Sequence, residues 1–437
     1  MRTIQWANCT EKERKLILQR PNLDAGSRKT AIETIIAAVR ERGDEALREF
    51  TERFDKCRIE EFRVSAKLLE ESLLNVSHET LTALQTAHDN IELFHRAQLR
   101  SPYHIETRQG SRLTQEIRPI RRVGLYIPGG SAALISTVLM LAVPARLAGC
   151  REIVLCTPPR PDGSIDPHLL AVAQLCGLTQ IYRVGGAQAI AAMAYGTESI
   201  PKVDKIFGPG SSWVTDAKLL VSQDPEGASI DIPAGPSELM VVADASSHPR
   251  IVASDLLSQA EHGDDSQVIL LSFDGKLIQD VMTEIASLIK RLSRAQIVQN
   301  SLEHALFIQV ADESEALEII QDYAPEHLIL QVFSPTHWIP KIANAGSIFC
   351  GAWTPESAGD YASGTNHVLP TGGWARSMSG VSVDSFQRTM CVQTLTAEGL
   401  MSLGATIETL ARLEGLDAHA LAVEVRRNFF EAREAIR

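Results

Sequence analysis

The chain has 437 residues, 44% hydrophobic and 22% charged, with a formal net charge of -12. That length exceeds what one hydrophobic core usually serves, so two main domains with smaller attachments are expected, and the composition excludes a disordered or fibrous protein. With an acidic balance and no basic cluster denser than Arg118, Arg121 and Arg122, binding to nucleic acid or to an anionic membrane has no electrostatic support.

The N-terminus, MRTIQWANCTEKERK, has no apolar run of signal-peptide length. The first hundred residues read as helices. Ile32, Ile35, Ile36 and Val39 recur at helical spacing, Gly43-Asp44 breaks the pattern, and Leu47, Phe50 and Phe54 resume it. Leu81, Leu84, Ile91 and Phe94 mark a further amphipathic helix. From about Leu113 alternation takes over, and RRVGLYIPGG reads as a strand ending in a Pro-Gly-Gly turn. A helix follows to Gly149. Its apolar stretch is broken by Ser136, Thr137, Pro144 and Arg146 and is too short and polar to span a bilayer.

Strands are expected at 152–156 and 180–184, with a helix at about 169–176 between them. Gly185-Gly186 opens the helix AQAIAAMA. The strand KIFG, a helix from about Ser212 and a strand at 238–244 follow. Repeated strand–helix units imply a parallel sheet covered on both faces. A helix at about 250–261 opens a second series, with strands QVILLS, ALFIQV, LILQVF and SIFC. Residues 351–380 are rich in Gly, Ser, Thr and Pro and carry Glu356, Asp360, Asn366 and His367; a long irregular stretch of this kind is more often a site than a linker. The last sixty residues return to helix. Seven cysteines without a C-x-x-C fit reduced thiols in a cytoplasm, and Cys150 and Cys156, which flank a strand, read as core.

Four constellations could carry chemistry. In SQAEHG, Gln259 and His262 lie three apart and share a helical face, so an amide oxygen and an imidazole could share a metal; alone, such a pair reads more readily as a surface or capping pair. In APEHL, Glu326-His327 precedes the strand LILQVF and offers two proton carriers of different basicity if a turn lets them converge; alone, the structural reading is the stronger. In ESAGDYASGTNHVLPT, Asp360 and His367 are typical hard or borderline ligands among glycines that admit close backbone approach. EGLDAH, from Glu414 to His419, is by itself an ordinary helix–turn–helix with Gly415 as C-cap. The fingerprint G-x-G-x-x-G is absent. Glycine turns at strand ends (Pro128-Gly129-Gly130, Gly185-Gly186 and Gly208-Pro209-Gly210) are candidates for a nucleotide, and each is equally a turn that topology requires. No G-x-S-x-G, P-loop or H-E-x-x-H occurs, and Gly235-Pro236-Ser237 sits in a turn without a nucleophile signature.

Taken together and in this order, VGLYIPGGSA, LCTPP, VGGAQAIAA, KVDKIFGPG, IDIPAGPSE, ASDLLSQAEHG, SQVILL, APEHL and ESAGDYASGTNHVLPT resemble the histidinol dehydrogenase family, from about Trp6 to the end of the chain. The resemblance implies a cytoplasmic enzyme that oxidises L-histidinol to L-histidine, through an aldehyde-level intermediate, with two NAD and one bound zinc. It implies an α/β homodimer: two incomplete Rossmann-like parallel-sheet domains, an N-terminal helical segment, and a C-terminal helical tail that crosses to the partner subunit. The expected division is an extension at 1–25, a first α/β domain of 26–122 with 238–375 carrying metal and proton carriers, a second Rossmann-like domain at 123–237, and a tail at 376–437. Carried over, the zinc ligands are Gln259, His262, Asp360 and His419, the last from the partner. Glu326 and His327 are the proton carriers. Ser237, His367 and Glu414 contact the substrate, as do His327 and the four zinc ligands, with Glu414 also supplied across the interface. Tyr126, Gln188 and Ser211 contact NAD. The family's FGPG is followed by Asn; here it is Ser211, whose hydroxyl can donate to a ribose or phosphate but reaches less far.

A set of two nitrogens and two oxygens without thiolate makes an open site that would also suit manganese or cobalt. The imidazole and amine of histidinol are both metal donors, so zinc would orient the substrate rather than polarise the alcohol. A neutral His327 suits removal of the alcohol proton, and Glu326 suits activation of the water that enters before the second oxidation. A relative oxidising another small polar alcohol is the nearest rival; Glu414, His367 and Ser237 favour histidinol, since an acidic group pairs with a substrate cation. A zinc hydrolase built on Glu326 leaves the glycine turns without purpose, and a non-catalytic binding protein leaves the proton carriers without one.

Overall fold

The computed structural model describes residues 1–20, 25–129, 134–233 and 235–434, apart from the side chains at 25–27 and 433–434. Gly130 of the Pro-Gly-Gly turn and Ala234 before the Gly235 turn lie outside the described residues. The chain divides into a large unit, 1–98 with 120–386, and a small one, 99–119 with 387–437.

Two parallel sheets organise the large unit. The first has six strands in the order Arg2–Gln5, Leu306–Gln309, Gln267–Ser272, Glu238–Ala243, His327–Gln331, Ser347–Cys350, all parallel. Every residue of Glu238–Ala243, Gln267–Ser272 and His327–Gln331 is buried. Continuous apolar runs such as LMVVA are what a parallel strand covered on both faces requires. One face packs Leu239, Val241, Leu270 and Ile329 against the helix Pro249–Ala260, and the other packs Met240, Val242, Leu271 and Leu328 against Ile319, Ile320 and Trp6. The second sheet has five parallel strands in the order Gln180–Arg183, Glu152–Thr157, Arg122–Tyr126, Lys205–Phe207, Ser229–Ile230. The α/β class with two parallel sheets is as expected.

Three features differ from the sequence reading. The N-terminal RTIQ is not helical but forms an edge strand beside Leu306–Gln309, with only Ile4 buried. The helices Ala25–Arg42 and Asp44–Asp55 pack through Ile32, Ile35, Leu47 and Phe50 onto Tyr126, Val154 and Tyr182 of the five-stranded sheet, not with 238–375 as grouped above. The segment 376–437 is not wholly helical: Gln387–Leu395 pairs antiparallel with Ser111–Pro119, which pairs in turn with Tyr103–Arg108. That three-stranded sheet belongs to the small unit, which ends in the helices Ala397–Leu413 and Asp417–Glu434. There Gly404 lets the Arg427 side chain pass (a Cβ would lie 2.3 Å from its Cδ), and Arg427 bonds Glu408 at 2.8 Å. Taken by itself, the small unit leaves Met390, Val392, Leu410, Leu413, Leu421 and Val425 exposed. Among the described residues no helix is long and apolar enough to cross a membrane.

Candidate active site

The peptide of Glu238 fixes the pair Glu326 and His327. The pair does not converge through a turn: His327 is the first residue of its strand, paired with Leu239 and Ser347, and Glu326 immediately precedes it. The Glu238 N–H donates to Glu326 Oε2 (2.9 Å), and the Glu238 carbonyl lies 3.1 Å from His327 Nδ1. A carbonyl only accepts, so Nδ1 carries the proton and Nε2 keeps its lone pair. His327 Nε2 is buried with no hydrogen-bond partner. Burial, with His262 and His367 nearby, pushes the His327 pKa down to about 3, so the ring is neutral at ordinary pH. The Glu238 side chain is itself held by the Arg20 guanidinium and by the Gly372 N–H (3.0 Å).

Around the His327 ring the protein gathers oxygen and nitrogen donors. Asp360 Oδ1 lies 3.7 Å from Nε2. Glu356 Oε1 and Glu326 Oε2 each lie 3.6 Å from Nδ1. His262, Glu356 and Asp360 offer ligand atoms within 4.8 Å of one another. Gln259 is fully buried on the helix Pro249–Ala260, and neither amide atom has a partner. Glu356 is 1% exposed, and neither carboxylate oxygen has a hydrogen-bond partner, since the neighbouring Ser258 hydroxyl donates to the Asp255 carbonyl at 2.8 Å. Burial first, then mutual repulsion, raises the pKa of Glu356 well above the usual range; burial does the same for Glu326 and raises Asp360. No lysine or arginine ion-pairs with these three carboxylates among the described residues. Buried carboxylates without cations are costly unless protonated or matched by a metal. The residues therefore fit a divalent ion of the oxygen- and nitrogen-loving kind.

The sequence alone gives Glu356 no role. The signal that could have found it is its i,i+4 relation to Asp360 on the short helix Glu356–Tyr361, which turns both carboxylates to one face. His367 is committed within the fold: Nδ1 donates to the Asp360 carbonyl (2.9 Å), and Nε2 accepts from Thr137 Oγ1 (3.2 Å). His367 thus holds the Asp360 backbone. Ser237, Ser211 and His262 share a cleft of about 420 Å3, together with Pro128, Gly129, the 209–212 turn and Tyr361. Glu414 and His419 lie exposed in the small unit, whereas the cluster belongs to the large one.

The cofactor candidates meet at strand ends. Tyr126 ends its strand, and its hydroxyl accepts from the Gly186 N–H (3.0 Å) at the start of the helix Gly186–Tyr195, where Gln188 is buried. Gly208 has φ +121°, and a Cβ there would sit 2.1 Å from the Tyr126 carbonyl, so this turn requires glycine. Ser211 is the N-cap of Ser212–Ser222 but makes no side-chain cap bond, and it is exposed to the cleft. A residue that sequence reasoning missed holds this turn from below. Lys218, 2% exposed, donates to the Gly208 carbonyl (2.8 Å), the Ile232 carbonyl (3.2 Å) and Asp231 Oδ1, while Asp231 Oδ2 accepts from the Gly208 N–H (2.8 Å). Lys218→Met would strand the Asp231 carboxylate, and the expected loss is about 3–5 kcal/mol, read as a fall in the denaturant midpoint. A midpoint unchanged from wild type would show that the pair carries no such weight.

Comparison with known proteins agrees over the whole chain. The family model for histidinol dehydrogenase matches residues 18–427. A histidinol dehydrogenase from Xanthomonas campestris pv. campestris is 52% identical over 427 residues, covering 98% of this chain and 99% of that one. One from Photobacterium profundum is 50% identical over 438 residues, covering 100% and 98%. The crystal structure of histidinol dehydrogenase from Elizabethkingia anophelis superposes with a TM-score of 0.94 at 44% identity, covering 99% of both chains. The chain belongs to the histidinol dehydrogenase family.

Proposed function

We propose that this chain oxidises L-histidinol to L-histidine through histidinal, in two NAD-dependent steps that close histidine biosynthesis in the cytoplasm. The observation that carries the reading is the free Nε2 of His327, 3.7 Å from Asp360 Oδ1, in a cluster where the side chains of Gln259 and Glu356 are buried without a hydrogen-bond partner. Gln259, His262 and Asp360, with the partner subunit's His419, would hold zinc, and Glu356 adds an oxygen donor from the same chain. When bound, zinc supplies orientation through the substrate's imidazole and amine, and NAD supplies the hydride acceptor of each oxidation.

The chain's own groups do the rest. His327 Nε2 takes the alcohol proton in the first oxidation, while its Nδ1–H stays on the Glu238 carbonyl. Glu326, held by the Glu238 N–H and ionised where a bound cation would balance the buried carboxylates, accepts a proton from water as it attacks the aldehyde. His327 returns its proton to the aldehyde oxygen as the hydrate forms, and is then free to accept the hydrate's proton in the second oxidation. Ser237 and the partner subunit's Glu414 contact the substrate, and His367 acts by holding Asp360 in place. Tyr126, Gln188 and Ser211 receive the dinucleotide along the glycine turns. On this division of labour the six-stranded sheet carries metal and proton carriers, and the five-stranded sheet carries the cofactor. A homodimer is proposed on the resemblance and on the apolar side chains that the small unit leaves exposed.

Stoichiometry tests the reading. Zinc-loaded protein given limiting histidinol should form two NADH per histidinol, and chelation should abolish turnover until zinc is restored. One NADH per histidinol would reject the double oxidation, and full activity after complete removal of metal would reject the zinc.

A further inference from the structure

Glu238 is engaged through both its peptide and its side chain. The peptide N–H and carbonyl meet Glu326 Oε2 (2.9 Å) and His327 Nδ1 (3.1 Å). The buried carboxylate is held apart from that pair, by Arg20. The guanidinium donates from Nε to Oε1 and from Nη2 to Oε2 (2.8 Å), and Oε1 also accepts from the Gly372 N–H (3.0 Å). The side chain of Glu238 is thus committed within the protein, and the residue serves the site through its backbone.

The same guanidinium holds the chain that leads into Glu326. Arg20 Nη2 also donates to the Tyr323 carbonyl (2.8 Å), and the guanidinium carbon lies 3.9 Å from the centroid of the Tyr323 ring. Tyr323 ends the helix Glu313–Tyr323, three residues before Glu326. Between them Ala324 has φ +52°, a left-handed conformation that is strained for a residue with a Cβ and persists only where its surroundings enforce it. The Tyr323 hydroxyl donates to Gln267 Oε1 (2.7 Å), on the strand beside Glu238. The third segment is the turn after the loop of Asp360 and His367. Gly372 reaches the Glu238 carboxylate, and Thr371 Oγ1 accepts from the Gly235 N–H (2.5 Å), two residues before Ser237. Gly373, at φ +79°, leaves room for the guanidinium, since a Cβ there would lie 3.1 Å from Arg20 Nη1.

We propose that Arg20 is a positioning residue for the proton carriers: its planar fork joins the Glu238 strand, the end of the Tyr323 helix and the Gly372 turn, and so fixes the Glu238 peptide that aims His327 and Glu326. The inference rests on the reading of His327 as the base and deepens it. Bridging two carboxylate oxygens and a carbonyl at fixed angles needs several N–H donors in one plane. An ammonium is a point charge on a flexible stem and keeps the charge without the fork. Proton transfer tolerates little misplacement, and an error of about 1 Å introduced far from the chemistry can cost about 100-fold in rate. Arg20 therefore acts on rate through Glu238, without contact with the reacting atoms.

A double-mutant cycle on the full-length, zinc-loaded protein tests this, read on the first hydride transfer from histidinol by single-turnover NADH formation. Arg20→Lys should slow that step by about 10- to 100-fold, with KM for histidinol and zinc content unchanged. In the His327→Asn background the same substitution should cost less than about twofold, because the group it positions is gone. A merely structural role would lower the thermal midpoint and leave the rate per folded, zinc-loaded subunit at the wild-type value. Should Arg20→Lys not fold, Arg20→Gln with Glu238→Gln removes both charges together, and the same fall in rate is expected of it. A wild-type rate in the folded variant, or an equal loss in both backgrounds, would overturn the role of Arg20 and leave His327 as the base. A loss below about tenfold in His327→Asn itself would overturn the reading of His327, and this inference with it.

Discussion

His327→Asn will lower kcat for histidinol by about two to four orders of magnitude, the usual worth of a positioned general base, with zinc content unchanged. Asparagine is the sharper substitution. Its amide N–H can still donate to the Glu238 carbonyl, which His327 Nδ1 faces at 3.1 Å, so the strand end and the Glu326 contact are kept. What is lost is the basic Nε2, which is buried with no protein partner and is the only atom of the ring left for chemistry. His327→Ala removes the base as well, but it also removes the ring's hydrogen bond to the Glu238 carbonyl and opens a cavity, so its loss mixes chemistry with stability. The expected signature is a fall in both half-reactions, measured with histidinol and with added histidinal. Glu326→Gln should differ, with oxidation of histidinal impaired more than that of histidinol, because only the second step needs an activated water. A loss smaller than tenfold in zinc-replete His327→Asn would remove His327 from the role of base. Equal losses in both steps for Glu326→Gln would end the division of labour.

What could be read from the chain beforehand follows a physical line. Strands such as ELMVVA and QVILLS are buried on both faces, and their apolar runs announce that. Gly208 was legible as a turn because its left-handed φ and the close Tyr126 carbonyl leave no alternative to glycine. The strands Tyr103–Arg108 and Gln387–Leu395 were not legible, since nearly all their residues are exposed and carry no alternation of burial. The amphipathic face of Ala25–Arg42 announces a helix but does not name the sheet it covers. The same limit applied to the site. Glu326 and His327 are neighbours in sequence, but their joint geometry is set by the peptide of Glu238, on an adjacent strand distant in the chain. The latch behind it, Arg20 on the Glu238 carboxylate, and the Lys218–Asp231 pair behind Gly208 are likewise made by tertiary packing, and no local motif encodes them.

The proposed site draws its fourth metal ligand from a second chain, and that has a consequence no single-chain site shares. His419→Ala alone should lower zinc affinity and activity together. A double variant, Glu326→Gln with His327→Asn, should be inactive while still binding zinc. Neither homodimer then turns over at an appreciable rate. In a mixed dimer, however, the intact Glu326 and His327 of one subunit meet the intact His419 of the other, and one of the two sites is whole. Random reassortment of equal amounts makes half of the dimers mixed, so about a quarter of wild-type activity should return in the mixture and about half in the isolated mixed dimer, because a two-fold interface repeats the same contact twice. The measurement is co-expression with two affinity tags, isolation of the doubly tagged species, and assay of its NADH production and zinc content. If His419 served its own chain, the mixed dimer would hold one site without the ligand and one without the base, and activity would stay at the level of the two parents. Recovery therefore separates a shared site from a self-contained one without reference to the metal's identity. The exposed position of His419 in the small unit is what a residue committed to another chain would show before assembly.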